Sequence, residues 1–340
     1  MGAKKKSGKV TIHDVAQAAG VSVMTVSRSM RGIDGVSEET RAKVVAIARE
    51  MNYMPNFNAS ALVGAESKLI GISIPTLFNQ VFADMLMGMR RTFDQAGYAS
   101  VIDTTDYDRT RERQFLERLL AWRPAAVILT GIQQDAETMK LLRDRDVTCL
   151  QIWDLTDDPI DLCVGIDHRK CGVLLGRYLA GLGYRRPAFI GRPAGGDTRA
   201  DARFAGLAYA FSQAGSADLR RIEVRGDNDF TTGAQGYQSI DARDHPDVIC
   251  CLNDHLAVGA MLAAEAAGHA VPESFGLAGF NGLAINQVLK RQLTTVETPR
   301  REIGLVAARN LLAKLNGVTP SPVTVLPCRL VEGETTRPVG

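Results

Sequence analysis

Residues 22–29 carry the side chains whose chemistry is easiest to assign. Ser22, Thr25 and Ser27 supply hydroxyl groups, and Arg28 supplies a guanidinium group with several hydrogen-bond donors. Hydroxyl groups in such a segment can bind phosphate oxygens, whereas an arginine can also bond the edge of a base. These residue types are therefore compatible with a nucleic-acid-binding surface, in which Arg28 would be the polar base-reading residue.

Three short helices must position these side chains. Thr11, Ser22 and Ser37 each stand where a side chain can cap a helix, and Gly20 and Gly32 end the first two helices. Two short helices joined by a glycine turn form a helix-turn-helix, whose second helix enters the major groove of DNA. The pattern alone leaves a generic three-helix bundle as an equal alternative.

The charge distribution agrees with a nucleic-acid-binding segment at the start of the chain. Residues 1–60 carry nine Lys and Arg against five Asp and Glu, a net charge of +4, whereas the other 280 residues carry −2. A small basic segment on a near-neutral body is typical of a nucleic-acid-binding module. A solvated charged face would give the same count, so the charge supports this interpretation without deciding it.

The composition disfavours several classes of protein. The 340 residues are 45% hydrophobic and 23% charged, which predicts a globular chain of two or three domains. The sequence shows neither eighteen consecutive uncharged apolar residues nor a signal sequence, so we expect a cytoplasmic protein without a membrane partner. The six cysteines show no C-x-x-C pair and no zinc-site spacing, which predicts no disulfide and no metal site.

From Ser67 onward, short apolar runs alternate with amphipathic segments. The apolar runs predict nine strands: Leu69–Ile74, Ser100–Thr104, Ala126–Thr130, Thr148–Ile152, Val164–Ile166, Ala188–Gly191, Arg221–Val224, Val248–Leu252 and Gly276–Gly279. Strands that alternate with helices form parallel sheets covered on both faces. Roughly 270 residues exceed one such core, so we expect an α/β body of two doubly wound lobes with a crevice at the carboxyl ends of their strands.

The sequence lacks the short motifs of common nucleotide-dependent or hydrolytic enzymes. We find no G-x-G-x-x-G, Walker A, G-x-S-x-G or metal-binding helix motif. We therefore predict a protein that is not an enzyme and holds no cofactor. A solute-binding protein of a transporter would have the same two-lobed body, but the missing signal sequence and the basic segment disfavour it.

The basic segment resembles the DNA-binding head of the lactose-repressor and galactose-repressor family. The match runs from Val10-Thr-Ile-His-Asp-Val-Ala-Gln-Ala-Ala-Gly-Val-Ser22 through Thr25-Val-Ser-Arg28, Val36-Ser and Thr40-Arg to Asn52-Tyr-x-Pro-Asn56. The resemblance implies that Val23 and Met24 read bases by apolar contact, although Met24 could instead fill the core. It implies contacts with the DNA backbone or bases by the remaining residues of the set: Thr11, Ser22, Thr25, Ser27, Asn56 and Ala59.

A short connection follows the head. Asn56–Gly64 is too short for a stable isolated helix in water. In the resembled family, this segment is a hinge helix that forms when two copies meet on DNA, and a leucine matching Leu62 inserts into the minor groove. Family members usually carry a basic residue next, whereas this chain has Val63. A flexible linker is the alternative, and it would leave Leu62 as an exposed apolar side chain.

The body resembles the same family along its whole length. Its best matches are Arg203-Phe-Ala-Gly206, Leu252-Asn-Asp254, Gly279-Phe-Asn281 and Leu293-Thr-Thr-Val296. The resemblance implies that the crevice binds an effector through Phe82, Asp154, Asp167, Arg203, Phe230, Asn253, Asp254, Asn281 and Thr298. Phe82 and Phe230 could instead be core residues, and Asp154 and Asp167 could be loop residues or helix caps.

These patterns predict three segments. Residues 1–55 form the helix-turn-helix head, 56–66 the hinge, and 67–340 the effector-binding and dimerisation core. The first lobe of the core takes about 67–167 and 298–326, and the second lobe takes about 168–297 and 327–340.

The predicted function is a DNA-binding transcription regulator, a repressor that responds to a small molecule. No leucine-rich heptads follow the last predicted strand, so we expect a homodimer that reads a near-palindromic operator. Where sugar-responsive members commonly have Asp, this chain has Asn281, which removes a negative charge near Arg203 and Arg199. Because Gly279-Phe-Asn281 also resembles the gluconate-repressor branch, we expect a sugar acid such as gluconate or a keto or phosphorylated derivative. A neutral sugar or nucleoside is the alternative.

Overall fold

The computed structural model of the chain describes residues 10–54, 67–226 and 229–339. The chain divides into two compact units, Met1–Ser67 and Lys68–Gly340, which correspond to a helical head and an α/β core. Each unit has its own apolar interior.

The head consists of three helices, α1 (Ile12–Ala19), α2 (Val23–Arg31) and α3 (Glu38–Glu50). All three begin at the predicted caps: the hydroxyl groups of Thr11, Ser22 and Ser37 accept hydrogen bonds from backbone N–H groups of the first turns. Gly20 and Gly32 end α1 and α2 in the left-handed conformation that glycine adopts without steric cost. The predicted helix-turn-helix is confirmed.

A small aliphatic core holds the head together. Its buried side chains come from all three helices: Val15, Ala16, Ala19, Val26, Val44 and Ala48. Ile47 and Met51 are half-buried at its edge. From α2, Val26 is buried in this core and Val23 and Met30 pack at its edge, whereas Met24 stays at the surface.

The described core contains twelve strands in two sheets. In chain order the strands are β1 (Leu69–Ile74), β2 (Ala99–Thr104), β3 (Ala126–Thr130), β4 (Thr148–Trp153), β5 (Leu162–Gly165), β6 (Pro187–Gly191), β7 (Arg220–Glu223), β8 (Val248–Cys251), β9 (Gly276–Asn281), β10 (Thr294–Glu297), β11 (Val323–Val325) and β12 (Arg329–Val331). The nine predicted strands are all present. The sequence pattern missed β10, β11 and β12, which are at most four residues long.

Both sheets are doubly wound, as predicted. The strand order is β11-β5-β4-β3-β1-β2 in the first lobe and β12-β10-β9-β8-β6-β7 in the second, and every pair is parallel except β10 with β12. The helices of the core are α4 (Gln80–Gln95), α5 (Arg109–Leu120), α6 (Ala136–Asp144), α7 (His168–Gly181), α8 (Thr198–Gln213), α9 (Phe230–Gln238), α10 (Asp254–Ala266) and α11 (Arg300–Leu315).

The chain passes between the two sheets three times. It crosses after β5, after β10 and after β11, so three adjacent connections join the lobes. The carboxyl ends of the parallel strands face the crevice between the lobes, where ligands bind in folds of this kind.

Two glycines let α4 and α11 pack unusually closely. A Cβ atom on Gly88 would lie 2.2 Å from the backbone oxygen of Arg301, and one on Gly304 would lie 2.1 Å from the backbone oxygen of Met85. No real Cβ contact is this short, so any larger residue would push the helices apart. This contact ties α11, which follows the second crossing, to α4 of the first lobe.

We expect Gly88→Ala to destabilise the core by about 1–3 kcal/mol, because the added methyl group has no space between α4 and α11. Gly181→Ala is the matched control, since it adds the same group to a helix where nothing lies within 4 Å. We expect that change to be neutral or to stabilise by up to about 1 kcal/mol. Urea unfolding of the full chain measures both; equal effects would show that the close helix contact is not required.

Candidate functional site

A small cavity lies between the carboxyl ends of the two sheets. Its volume is about 40 Å³, and it is lined by residues of both lobes: Asn79, Val81, Phe82, Tyr107, Trp153, Asp197, Arg199, Arg203, Leu252, Asn253 and Asn281. A second cavity of about 450 Å³ shares Tyr107, Asp197 and Arg199 with it. Several of the predicted effector-binding residues therefore meet at one place.

A chain of buried polar groups joins the lobes beside this cavity. The Nε of Arg199 donates to both carboxylate oxygens of Asp154, at 2.7 and 2.9 Å. The Nε2 of His168 lies 3.1 Å from the same carboxylate, and its Nδ1 lies 3.0 Å from Nη1 of Arg203. Since an arginine can only donate, Nδ1 accepts and Nε2 carries the proton, so His168 is a neutral link between Arg203 and Asp154.

The charges of this network fix its protonation. Burial disfavours the ionised form of Asp154, but the positive charge of Arg199 and the hydrogen bond from His168 outweigh it and hold the pKa of Asp154 well below its usual value. Burial lowers the pKa of His168, which keeps the ring neutral near pH 7. Burial also lowers the pKa of Arg203. Both arginines nonetheless keep their charge, because arginine is not deprotonated in proteins.

Arg203 points into the cavity from α8. Its guanidinium carbon lies 4.3 Å from the centre of the Phe280 ring, and the side chain is 7% exposed. Its Nε has no hydrogen-bond partner. Close packing of α7 on α8 fixes the backbone at this point, because Gly172 lies against the backbone oxygen of Arg203 and Gly206 against that of Arg169.

Asn281 faces the same cavity from the other side. It is the last residue of β9, is 6% exposed, and its side-chain oxygen has no hydrogen-bond partner. Its φ angle is 104°, which is strained for a residue other than glycine. Trp153 has the equivalent place at the end of β4 and also a positive φ angle, 82°. Both lobes therefore present a strained backbone at the crevice, as is common at ligand sites.

The structure places Asn253 and Asp254 differently, although they are adjacent. Asn253 lines the cavity and caps α10 by accepting a hydrogen bond from the N–H of Leu256. Asp254 is fully buried, and its two carboxylate oxygens accept hydrogen bonds from the N–H of Leu283 and the hydroxyl of Thr295, both at 2.6 Å. Asp254 thus does not reach the crevice surface: it supports the turn after β9 on which Asn281 lies.

The other predicted effector residues lie at varying distances from the cavity. Phe82 is buried in the core of the first lobe and lines the cavity with one face. Asp167 caps α7, and Thr298 donates its hydroxyl to the backbone oxygen of Asn281. Phe230 begins α9, is 41% exposed and packs on the ring of His255 at 4.8 Å, away from the small cavity.

Sequence reasoning missed His168, Trp153 and Tyr107. No sequence signal marks these three, because their roles depend on which strand and helix ends meet. We noted Arg199 without including it among the effector-binding residues. Its spacing of four from Arg203, which puts both side chains on one face of α8, was the signal that could have included it.

The head presents the predicted DNA-binding side chains on α2. Met24 is 55% exposed, which argues against its alternative role as a core residue. Val23 is half-buried and packs against the head core, so it has less surface to offer a base. The hydroxyl groups of Ser22 and Thr25 lie 2.9 Å apart, and Arg28 is exposed. Asn56, Ala59 and Leu62 lie outside the described residues.

Two further classes of site were sought in the described part of the chain. Within it, no three His, Cys, Asp or Glu side chains are arranged to hold a metal ion. None of its helices is both long and apolar enough to cross a membrane.

Comparison with known proteins identifies the head and the core. Residues 11–56 match the bacterial regulatory proteins of the lacI family, and residues 177–336 match the periplasmic binding protein-like domain. The HTH-type transcriptional regulator GntR of Escherichia coli (strain K12) is 31% identical over 319 residues, which are 93% of this chain and 95% of that protein. The chain therefore belongs to the LacI family.

Solved structures support the same assignment. A LacI-family transcriptional regulator from Silicibacter pomeroyi is 33% identical, covers 96% of this chain and 99% of its own, and superposes with a TM-score of 0.88. The lac repressor dimer bound to operator and the anti-inducer ONPF is 26% identical, covers 97% of this chain and 100% of its own, and superposes with a TM-score of 0.84.

Membership of the LacI family makes this chain a DNA-binding transcription regulator. The predictions of family and fold class are confirmed. The GntR relative is a regulator, which supports the prediction that this protein is not an enzyme and sets aside the transporter-binding alternative.

The pH dependence of stability gives a test of the buried Asp254. Burial raises its pKa from 3.8 to about 7, despite the hydrogen bonds from Thr295 and Leu283. The folded state therefore keeps the Asp254 proton up to about pH 7, whereas the unfolded chain loses it near pH 4. The contribution of this group to the free energy of unfolding is complete below pH 4 and is lost as the pH rises to about 7.

We expect the free energy of unfolding to fall by about 1 kcal/mol per pH unit in this window through Asp254 alone. Asp254→Asn should flatten that dependence, since the amide keeps a hydrogen-bond acceptor but does not ionise. Urea unfolding at pH 4.5, 6 and 7.5 measures it. A variant that keeps the full slope of the unchanged protein would rule out Asp254 as its source.

Proposed function

We propose that this LacI-family regulator is a repressor whose effector is a sugar acid, such as gluconate or a keto or phosphorylated derivative, bound in the crevice. The observation that carries the proposal is a pair of buried atoms without partners. The Nε–H of Arg203 lacks an acceptor and the side-chain oxygen of Asn281 lacks a donor, and both residues line the same cavity. A buried polar group left unpaired is costly, so such a pair suits a ligand that satisfies both.

A hydroxy acid has the complementary groups. Its carboxylate can accept from the guanidinium of Arg203, and a neighbouring hydroxyl can donate to Asn281. The network of Asp154, His168, Arg199 and Arg203 holds two positive charges against one negative charge, because His168 is neutral. The carboxylate of Asp197 is also near, but it accepts from two N–H groups at the start of α8, where the helix dipole favours a negative charge.

The size of the crevice suggests how binding would act on the lobes. A cavity of about 40 Å³ is too small for a six-carbon acid, whereas sites for small molecules measure roughly 300–1,000 Å³. The adjoining 450 Å³ cavity, which shares Arg199, provides that volume. An acid that binds both arginines would compete with Asp154 for Arg199 and so change the contact between the lobes. Differential binding to two lobe arrangements is sufficient for allosteric control.

On the DNA side, we propose that α2 enters the major groove with Met24 and Arg28 at base edges. Residues 56–66 of two copies would pair at the centre of the site, with Leu62 in the minor groove. A homodimer with two such heads reads a near-palindromic operator.

Calorimetric titration tests the effector class. We expect gluconate to bind and glucose not to bind, and Arg203→Met to weaken gluconate binding by about tenfold to a hundredfold, because a charged hydrogen bond is lost. Arg169→Met is the control, since Arg169 is an exposed arginine on α7 that lies over the ring of Tyr209 and lines neither of the two cavities. If neutral hexoses or nucleosides release heat, aldonic and phosphorylated acids do not, and Arg203→Met leaves that binding intact, the acid proposal is wrong.

Selection of binding sites from random duplexes, followed by affinity measurement, tests the DNA side. We expect a near-palindrome, and we expect Leu62→Ala to weaken binding to it by about tenfold or more while binding to random DNA changes little. Met54→Ala, which removes another exposed apolar side chain of the head, should leave both unchanged. Equal losses on selected and random DNA would contradict the hinge assignment.

A further inference from the structure

Arg300 is a buried arginine in the second crossing between the lobes, and the effector site described above does not use it. It is the first residue of α11 and is 9% exposed. Its Nε donates to Asp84 on α4 at 3.0 Å, within the first lobe. Its two terminal nitrogens reach the second lobe instead: Nη1 bonds the backbone oxygen of Asn281, and Nη2 bonds that of Gly282 at 3.2 Å.

The backbone oxygen of Asn281 is the centre of this arrangement. Besides Arg300, both the N–H and the hydroxyl of Thr298 donate to it, each at 3.3 Å. Nη1 of Arg300 also donates to the Thr298 hydroxyl at 3.1 Å, which makes the group a closed network. Asn281 has a strained φ angle of 104°, and a residue in such a conformation persists only where its surroundings hold it in place. The three donors on its carbonyl oxygen provide that restraint.

Arg300 also fixes this turn to a rigid part of the first lobe. Asp84 lies on α4, which packs without a gap on α11 through Gly88 and Gly304. A guanidinium can hold a carboxylate and two carbonyls at once because its donors form a planar fork. Arg300 is therefore the point at which the Asn281 turn of one lobe is bonded to a helix pair of the other.

We propose that Arg300 is a positioning residue for the effector: it holds the Asn281–Gly282 turn so that the Asn281 amide faces the crevice, and it links that amide to α4 of the first lobe. This inference rests on the proposed function in one respect, that the Asn281 side chain binds the effector. Arg301 is its natural comparison. It contacts the same carboxylate of Asp84 at 3.4 Å but is 71% exposed and bonds neither carbonyl.

Hydrogen exchange of the unliganded full chain tests the positioning role without a ligand. The N–H groups of Gly282 and Leu283 bond Thr295 and Asp254, so both are protected while the turn is held. We expect Arg300→Met to speed exchange in residues 281–284 by about tenfold or more, with β8 unchanged, and Arg301→Met to leave both at the rate of the unchanged protein. Unchanged exchange at 281–284 in Arg300→Met would overturn the proposal, and so would an equal increase in β8.

Calorimetry with gluconate tests whether Arg300 acts through Asn281. We expect Arg300→Met and Asn281→Ala each to weaken binding by about tenfold, and the double variant to lose no more than Asn281→Ala alone. Arg300→Lys keeps the charge but cannot bond both carbonyls, so most of the loss should remain. Losses that multiply in the double variant, or full affinity in Arg300→Lys, would overturn the proposal.

The two experiments separate this inference from the proposed function. If the unchanged protein binds no sugar acid, the proposed effector class is wrong. The comparison of the single and double variants is then made with whichever neutral sugar or nucleoside binds in the calorimetric titrations. If the panel contains no ligand at all, hydrogen exchange alone decides whether Arg300 holds the turn.

Discussion

The ion pair between Asp154 and Arg199 is the interaction on which the proposed effector site depends. It joins a loop after β4 of one lobe to α8 of the other, and the side chains of Asp154 and Arg199 are 8% and 16% exposed. Two charges removed from water gain little net stability from each other, but leaving one of them unpaired is strongly unfavourable. The pair is therefore a poor source of stability, and in the proposed function an anionic effector would take the place of the carboxylate beside Arg199.

The rest of the site is arranged around this pair. The neutral ring of His168 donates to Asp154 and accepts from Nη1 of Arg203, and the Nε of Arg203 is left without a partner. Across the cavity, the strained turn of Asn281 offers an amide oxygen that is also unused. Folded proteins pair nearly all buried polar atoms, so two unpaired ones on residues that line one cavity are the observation that supports the proposed ligand site.

Close helix contacts keep these groups in register. Glycines at the crossing of α7 with α8 fix the backbone of Arg203, and those at the crossing of α4 with α11 fix the helix that begins with Arg300. A glycine contact allows little adjustment, since backbone lies directly on backbone. In the proposed function, a change at the crevice would therefore move whole helix pairs rather than rearrange side chains locally.

The sequence by itself determined the elements whose signals are local. Helix caps at Thr11, Ser22 and Ser37 act within one turn, and apolar strands have a periodicity that needs no partner to recognise, so the head and nine strands were predictable. The short strands β10, β11 and β12 lack such a run. They are strands because neighbouring edges supply their hydrogen bonds.

Only the tertiary structure decided the roles of the site residues. Asn253 and Asp254 are adjacent in sequence, yet one lines the cavity and the other is buried under the Asn281 turn, because the start of α10 directs successive side chains to opposite sides. His168 and Arg300 have no local pattern at all. His168 bonds Asp154, 14 residues away, and Arg203, 35 residues away, while Arg300 bonds Asp84, 216 residues away. Only the folding of the lobes and their meeting at the crevice bring these partners within hydrogen-bond distance.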